Sequence, residues 1–350
     1  MNYTSEERDL IVLSATGVSP AVIKKLYNNF TRTTPNFEEN REYLIKTLSS
    51  GVYNEVRENF SSSAYRAEVL ENLDKKEIIC IPFFSESYPQ ILREIKNFPP
   101  LLYCLGNIGL LHSDSIGIVG SRRTLPLVLK ECEKVSKELS ERFNIISGAA
   151  AGADTAALTG AIESGRCVSV LAYGFDHIRD NLLLKQAVSG LLVTEYPPSV
   201  QAKPYQFPLR NRIIAALSKG VLVVSAAEKS GALITAEYAR EFGRDIFAFP
   251  YSLGVESGAG CNRLIKEGAH LTECAKDILA FYGFEHERET IFLSEEEERV
   301  YITIADAGEM LITEIADNLN MPVYKVLPII SSLELKGLAV RLGGNRYSVI

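Results

Sequence analysis

Seven short, nearly continuous apolar runs recur between Glu77 and Gly283, and they restrict the fold of this chain more than any other feature. They are Ile78–Ile81, Ile116–Val119, Asn144–Ile146, Cys167–Leu171, Leu191–Val193, Val221–Val224 and Asp245–Ala248. Runs of this length without polar alternation suit strands covered on both faces, as in a parallel sheet. Helical periodicity fills most of the intervals, at Leu129–Arg142, Thr155–Ser164, Asn211–Leu217 and Leu233–Phe242. Strand, turn and helix in alternation predict an α/β fold, a Rossmann-like doubly wound and mostly parallel sheet, over residues 77–285.

Different patterns flank this region. Residues 1–76 read as helical throughout, with apolar spacing at Leu10, Ile11, Leu13 and again at Val22, Ile23, Leu26, Phe30. Thr16-Gly17-Val18-Ser19-Pro20 between them supplies a Gly turn, a capping Ser and a Pro suited to a first helical turn. This predicts a helical domain like a SAM or helix-hairpin-helix element, and the absence of basic residues in the turn points to an accessory or interaction role. Residues 290–350 predict a winged-helix domain. Ser294 with Glu297 forms a capping box, helices follow at Ile312–Leu319 and Pro322–Lys336, and Gly343-Gly344-Asn345 turns a hairpin. The helix that would enter a DNA groove carries only Lys325 and Lys336, is interrupted by Pro328, and lies near the acidic run Glu295–Glu298. Protein docking is therefore expected of this domain.

The formal charge of −7 on 350 residues argues against a chain that coats nucleic acid through overall charge; a polyanion partner would need a local basic patch. The six cysteines form no C-x-x-C pair, and His112, His177, His270 and His286 give no zinc spacing. Buried, reduced thiols in a cytoplasmic protein are expected. The polar, acidic start of the chain predicts no signal peptide, and no apolar run approaches membrane-spanning length, so no membrane partner is expected.

Ligands of open α/β sheets bind at the carboxyl ends of the strands, and the unusual loops of this chain fall there. Gly120-Ser121-Arg122-Arg123 offers close backbone approach, a hydroxyl and two guanidiniums. Ser147-Gly148-Ala149-Ala150-Ala151-Gly152-Ala153-Asp154 leaves backbone N–H groups uncovered, with Asp154 expected to cap the next helix. Lys203 and Phe207 lead into Arg210-Asn211-Arg212, which the spacing puts in the first turn of a helix, where backbone N–H groups and the helix dipole favour an anion. Ser230-Gly231 opens a further helix. Small-residue N–H nests, guanidiniums and an aromatic on one edge suit single-stranded nucleic acid. Neither glycine loop is a G-x-G-x-x-G fingerprint, so no cofactor is expected. No Ser/His/Asp or Cys/His arrangement is present, so no catalytic residue and no metal are assigned.

Gly120-Ser-Arg122, Ser147-Gly148…Gly152-x-Asp154, Glu195-Tyr-Pro-Pro198, Phe207-Pro-x-Arg-Asn-Arg-Ile-Ile214, Ser230-Gly-x-Leu-Ile-Thr-Ala236 and Gly260-x-Asn262…Gly268-Ala269 occur in order. Together, across residues 78–270, they resemble the DNA-processing protein A family (DprA, also called Smf), recombination mediators of natural transformation. The resemblance implies a non-enzymatic protein that binds and protects incoming single-stranded DNA, helps load the RecA recombinase, and forms a homodimer through the Rossmann-like domain. It implies phosphate contacts from Arg122, Arg210, Asn211 and Arg212, and small-residue donors at Ser121, Ser147, Gly148, Ser230 and Gly231. Gly120 and Gly152 would shape the loops, Lys203 would add charge and Phe207 would stack on a base. Two other readings stay open: a nucleotide phosphoribohydrolase, echoed faintly by Ser230–Glu237 although its Pro-Gly-Gly-x-Gly-Thr signature is missing, and a partner-binding scaffold with weak DNA affinity. Ala151 stands where the family usually has Arg. Ala151→Arg should therefore steepen the dependence of DNA affinity on salt by roughly one counterion. A salt titration with an identical slope for both proteins would refute this.

Overall fold

The structure, a computed structural model, describes residues 3–284 and 293–349. The chain divides into two compact units, Met1–Tyr282 and Gly283–Ile350. The expected boundary at 285–290, together with His286, lies outside the described residues.

The first unit opens with α1 (Ser5–Ala15), α2 (Pro20–Leu26), α3 (Arg41–Leu48), α4 (Ser50–Ser61) and α5 (Ser63–Lys75). Gly17 turns at φ +80° between the first two, and Ser19 caps α2 by accepting the Val22 N–H at 3.4 Å. Helix throughout residues 1–76 does not hold between Tyr27 and Asn40. There Asn28, Asn29 and Phe30 take positive φ in succession, a left-handed excursion that Asn tolerates and that no right-handed helix contains.

There follow β1 (Ile79–Pro82), α6 (Gln90–Arg93), β2 (Leu101–Gly106), β3 (Ser115–Gly120), α7 (Pro126–Leu139), β4 (Asn144–Ser147), α8 (Ala153–Ala161), β5 (Cys167–Leu171), α9 (Asn181–Ser189) and β6 (Leu191–Thr194). Then come α10 (Gln206–Leu217), β7 (Gly220–Ser225), α11 (Gly231–Glu241), β8 (Asp245–Ala248), α12 (Ala259–Lys266), β9 (His270–Leu271) and α13 (Ala275–Phe281). The strands form one mixed, mostly parallel sheet in the order β1-β2-β6-β5-β4-β3-β7-β8-β9, and β2 is antiparallel to both of its neighbours. From β3 the chain winds outward through β4, β5 and β6, then returns to the other side of β3 with β7. The carboxyl end of β3 is thus the topological switch point.

The apolar runs lack alternation because both faces are covered. In β7, Leu222 and Val224 pack with α7, α8 and α13, while Val221 and Val223 pack with α10 and α11. Leu10, Leu13 and Leu26 of the first helices share the core of Ile213 and Ile214. The Tyr103 hydroxyl donates to Ser14 Oγ at 2.9 Å, and the Cys80 N–H donates to the Tyr3 hydroxyl at 2.9 Å. The helices are thereby joined to the antiparallel edge of the sheet.

Two helix starts depart from expectation. α10 begins at Gln206, well before Asn211, because Pro208 at its third position lacks only an N–H that has no intrahelical partner there. Arg210 and Arg212 therefore lie beyond the first turn. α8 begins at Ala153 after Gly152, so Asp154 sits inside the first turn and is not the capping residue.

The second unit comprises α14 (Glu295–Ala307), β10 (Glu309–Leu311), α15 (Ile312–Leu319), α16 (Val323–Leu335), β11 (Ala339–Arg341) and β12 (Arg346–Val349), with strand order β10-β12-β11. Val300, Ile304, Ile315, Val326, Ile330 and Tyr347 form its core. Pro328 does not interrupt α16; it sits inside a continuous helix and removes one backbone bond. Ser294 and Glu297 form the expected capping box. Glu297 also lies 2.7 Å from Lys336 Nζ through both oxygens and accepts from Ser332 Oγ at 2.6 Å. Lys336 first, then Ser332 and the Ser294 N–H, hold its carboxyl down at about 2, against an ordinary 4.5. A depressed carboxyl contributes stability that is complete above the ordinary value and is lost as pH falls toward 2. Carboxyl NMR of the intact chain should place the Glu297 midpoint near 2, and Glu297→Gln should flatten the acid limb of this unit's stability. A midpoint at the ordinary value would refute the arrangement.

Candidate nucleic-acid interface

An open cleft of about 460 Å³ lies over the carboxyl end of β3, bounded by the β3–α7 loop and the starts of α10 and α11. Gly120 ends β3 where a Cβ would meet Ala153 Cβ at 2.6 Å and Val224 Cγ2 at 2.9 Å. Its bareness lets α8 pack against the strand. Beyond it the chain turns tightly: the Ser121 N–H donates to the Ser225 carbonyl at 2.9 Å, and Ser121 Oγ accepts the Arg123 N–H at 3.1 Å. Arg122 and Arg123 are left exposed on this turn. The Arg122 guanidinium lies over the Phe207 ring, 5.4 Å from its centre, a cation–π contact that orders a long side chain. Across the cleft, Ser230 caps α11, its Oγ accepting the Ala232 N–H at 3.3 Å. Asn211 Nδ2 donates to the Gly231 carbonyl at 3.3 Å and ties α10 to that cap.

Beneath this surface the structure corrects four expectations. Arg210, expected on a phosphate, is 3% exposed and donates through Nη1 to the carbonyls of Gly148, at 2.6 Å, and Val170. Arg212, 8% exposed, spends its charge on Glu195, with Nη2 at 2.7 Å from Oε2. Ser147 is fully buried and donates its hydroxyl to the Ile118 carbonyl at 2.7 Å, so it offers nothing to a ligand. Gly148 is bare because the Arg210 guanidinium fills the space: a Cβ there would lie 2.5 Å from Nη2 and 2.6 Å from Cζ.

The N–H nest of residues 147–154 serves the protein itself. Asp154 accepts the Ala150 N–H at 3.3 Å. Burial raises its pKa, while Arg210 and the N–H groups of Ala150, Gly120 and Gly148 pull the other way. Burial likewise lowers the pKa of Arg210, and Asp154 counters it. Gly152 shapes this loop at φ +89°, where a Cβ would strike the Ser121 and Arg122 carbonyl oxygens.

The structure thus brings Gly120, Ser121, Arg122, Phe207, Asn211, Ser230 and Gly231 together at the cleft, with Arg210 as its floor. Lys203 is elsewhere, on a groove on the other side of the start of α10. Arg123, the second guanidinium of the loop after β3, also lines the cleft, as does Thr235, to which the sequence pattern gives no role. Thr235 is fully buried, and its Oγ1 has no partner among the described residues. Both lie within or beside quoted motifs, and side-chain direction was the missing signal. Among the described residues no group of His, Cys, Asp or Glu could hold a metal ion, and no helix is long and apolar enough to cross a membrane.

Fold and cleft together define a Rossmann-like α/β protein with a guanidinium-flanked cleft at its topological switch point. The sequence matches the family model for DNA recombination-mediator protein A over residues 79–283. This protein belongs to that family of DNA-processing proteins. It is 40% identical over 217 residues to DNA processing protein DprA of Streptococcus pneumoniae, covering 60% of this chain and 77% of that one. The X-ray structure of the Streptococcus pneumoniae protein superposes with a TM-score of 0.61 at 31% identity, over 82% of this chain and all of the other. DNA processing protein A from Helicobacter pylori, solved to explain its single-stranded DNA binding mode, superposes with a TM-score of 0.53 at 26% identity, over 59% and 95%.

Gly148 and Gly231 should respond oppositely to substitution. Gly148→Ala should cost about 1–3 kcal/mol, since the added carbon overlaps a buried guanidinium that cannot leave its carbonyls. Gly231→Ala, with nothing within 4 Å of the new carbon, should leave the urea midpoint unchanged or slightly raised. Equal midpoints for both variants would contradict the assigned role of Gly148.

Proposed function

We propose that this protein is a non-catalytic, cytoplasmic mediator that binds single-stranded DNA in the cleft, protects incoming strands and helps load RecA during natural transformation, acting as a homodimer through its Rossmann-like domain. The observation that carries the reading is the exposed Arg122 guanidinium held over Phe207 at the sheet's switch point. It offers a phosphate a charge and a base a planar surface in one place. Arg123, Ser121, Asn211 and the Ser230–Gly231 cap supply the remaining donors. Arg210 and Arg212 act indirectly, by fixing the position of α10. The resemblance to a protein studied for its single-stranded DNA binding supports the same ligand. The phosphoribohydrolase reading loses its motivating residue, because Glu237 is exposed and lies outside the lining of the cleft.

Residues 1–76 are assigned as a SAM or helix-hairpin-helix-like domain, 77–285 as the Rossmann-like DNA-binding domain and 290–350 as a winged helix that docks protein. The last assignment is supported by Lys336 being engaged by Glu297, and by Tyr324 and Leu335 of α16 standing 72% and 91% exposed.

Fluorescence anisotropy of a labelled, sequence-neutral single strand tests the reading. Wild type should bind in a salt-sensitive way that duplex competes poorly. Arg122→Ala should weaken binding by about tenfold and reduce the salt slope by about 0.7 without changing the thermal midpoint. Arg210→Ala should instead lower the midpoint, because it leaves carbonyls and a carboxylate unpaired. Wild-type indifference to single strands would overturn the reading.

A further inference from the structure

A second concavity, of about 590 Å³, lies between the α1–α2 turn, the segment around Phe98, α10 and the end of α11. The start of α10 is the wall between it and the cleft. Phe207, Pro208, Arg210 and Asn211 line the cleft, whereas Tyr205, Gln206, Leu209 and Arg212 line this groove.

Its walls are mostly apolar. Val18, Ile95, Phe98, Leu209 and Phe242 supply aliphatic and aromatic carbon, and Leu209 keeps 44% of its surface exposed. A concave apolar surface with a few placed charges has the form of a ligand site. The rings are poor stacking surfaces, because they lie against one another. The centres of Phe30 and Phe98 are 4.7 Å apart with the planes at 30°, and Tyr238 and Phe242 stack at 5.8 Å and 18°. The groove thus offers carbon to an inserted side chain more than an open plane to a base.

Around this carbon stand Lys24, Lys96 and Lys203. Lys96 and Lys203 are exposed, and Lys24 is half-buried over the Phe30 ring, 5.9 Å from its centre. The groove's carboxylates leave the rim positive. Glu195 is paired with Arg212 on the inner side, and Glu241 is one charge against three. Ammonium groups at the mouth of an apolar groove match carboxylates set beside large apolar side chains. On a chain of formal charge −7 an acidic partner needs such a local patch to approach at all.

We infer that this groove docks a partner protein through a short acidic peptide, with the peptide's aromatic or aliphatic side chains between Val18, Phe98 and Leu209 and its carboxylates on Lys24 and Lys96. The inference does not depend on what the cleft binds.

The test selects random peptides displayed on phage against the immobilised full chain, and the enriched sequence is synthesised with a fluorescent label for anisotropy. The selection should enrich Asp or Glu next to Phe, Tyr or Leu. The labelled peptide should bind wild type less tightly as salt rises, and should lose about tenfold in affinity with Leu209→Glu and with Lys24→Gln/Lys96→Gln. The substituted side chains are exposed or half-buried, so thermal midpoints equal to wild type are expected and are checked first. An oligothymidylate of roughly 16 nucleotides is the second probe, and both variants should bind it as wild type does. Enrichment without the acidic and apolar pattern, or a peptide that both variants hold as tightly as wild type, overturns the inference. Variants that lose the oligothymidylate as strongly as the peptide assign the groove to nucleic acid and overturn it too. A wild type that binds the peptide but not the oligothymidylate supports the groove while overturning the reading of the cleft.

Discussion

The buried guanidinium of Arg210 is the interaction on which the rest of the site depends. It reaches from α10 to the Gly148 and Val170 carbonyls, at the carboxyl ends of β4 and β5, with Asp154 of α8 as its countercharge. Taking a cation out of water costs several kcal/mol, and only a complete set of acceptors offsets it. Here the acceptors are carbonyls that a sheet edge would otherwise leave to solvent. One side chain thus satisfies the ends of two strands and fixes the angle at which α10 crosses them. Gly148 is bare to admit it, and Asp154 is held by backbone N–H groups so that a carboxylate is already in place.

This arrangement separates charges that build the cleft from charges that act in it. Arg210 and Arg212 are spent on carbonyls and on Glu195, and a phosphate approaching from solvent would have to displace those partners. Arg122 and Arg123 carry no such debt, since they sit on a tight exposed turn whose backbone bonds are made by Ser121. Against a formal charge of −7 for the whole chain, a local pair of guanidiniums sets where an anion can land. Electrostatic attraction of that kind governs association rate and salt dependence more than it governs fold.

Much of the sheet was legible in the sequence because runs such as Val221–Val224 are buried on both faces and have no polar alternative. β2 was missed although Leu101–Leu105 is equally apolar. Pro99-Pro100 before it reads as a loop, and no α-helix separates it from β3, so it lacks the strand–helix alternation that marks the parallel strands. The cleft's location was legible from Gly120 and Ser230, since bare or hydroxyl-bearing residues at strand ends have local causes. The destination of each guanidinium was not. Arg210 and Arg122 sit in equally polar, glycine-flanked contexts, and a chain pattern does not distinguish a donor aimed at carbonyls from one aimed at water. Placing α10's start at Asn211 compounded the error. Pro208 reads as a helix boundary but, at the third position of the helix, interrupts nothing.

The position of α10 also explains why two concavities meet at one element. Arg210 pins one side of its second turn to β4 and β5, and Arg212, two residues on, pins the opposite side to Glu195 beyond β6. A helix held from both sides by buried charge has little freedom to rotate, so the residues ahead of it keep fixed directions: Phe207 toward Arg122, and Tyr205 and Leu209 toward the groove. Burial of Ile213 and Ile214 against the core shared with α1 and α2 removes the remaining play. A surface whose aromatic contacts are fixed before the ligand arrives pays less ordering entropy on binding. That saving matters most for a flexible single strand, which must itself be ordered in the complex. The two buried arginines, neither available to a phosphate, thus favour nucleic-acid binding by keeping the exposed residues still.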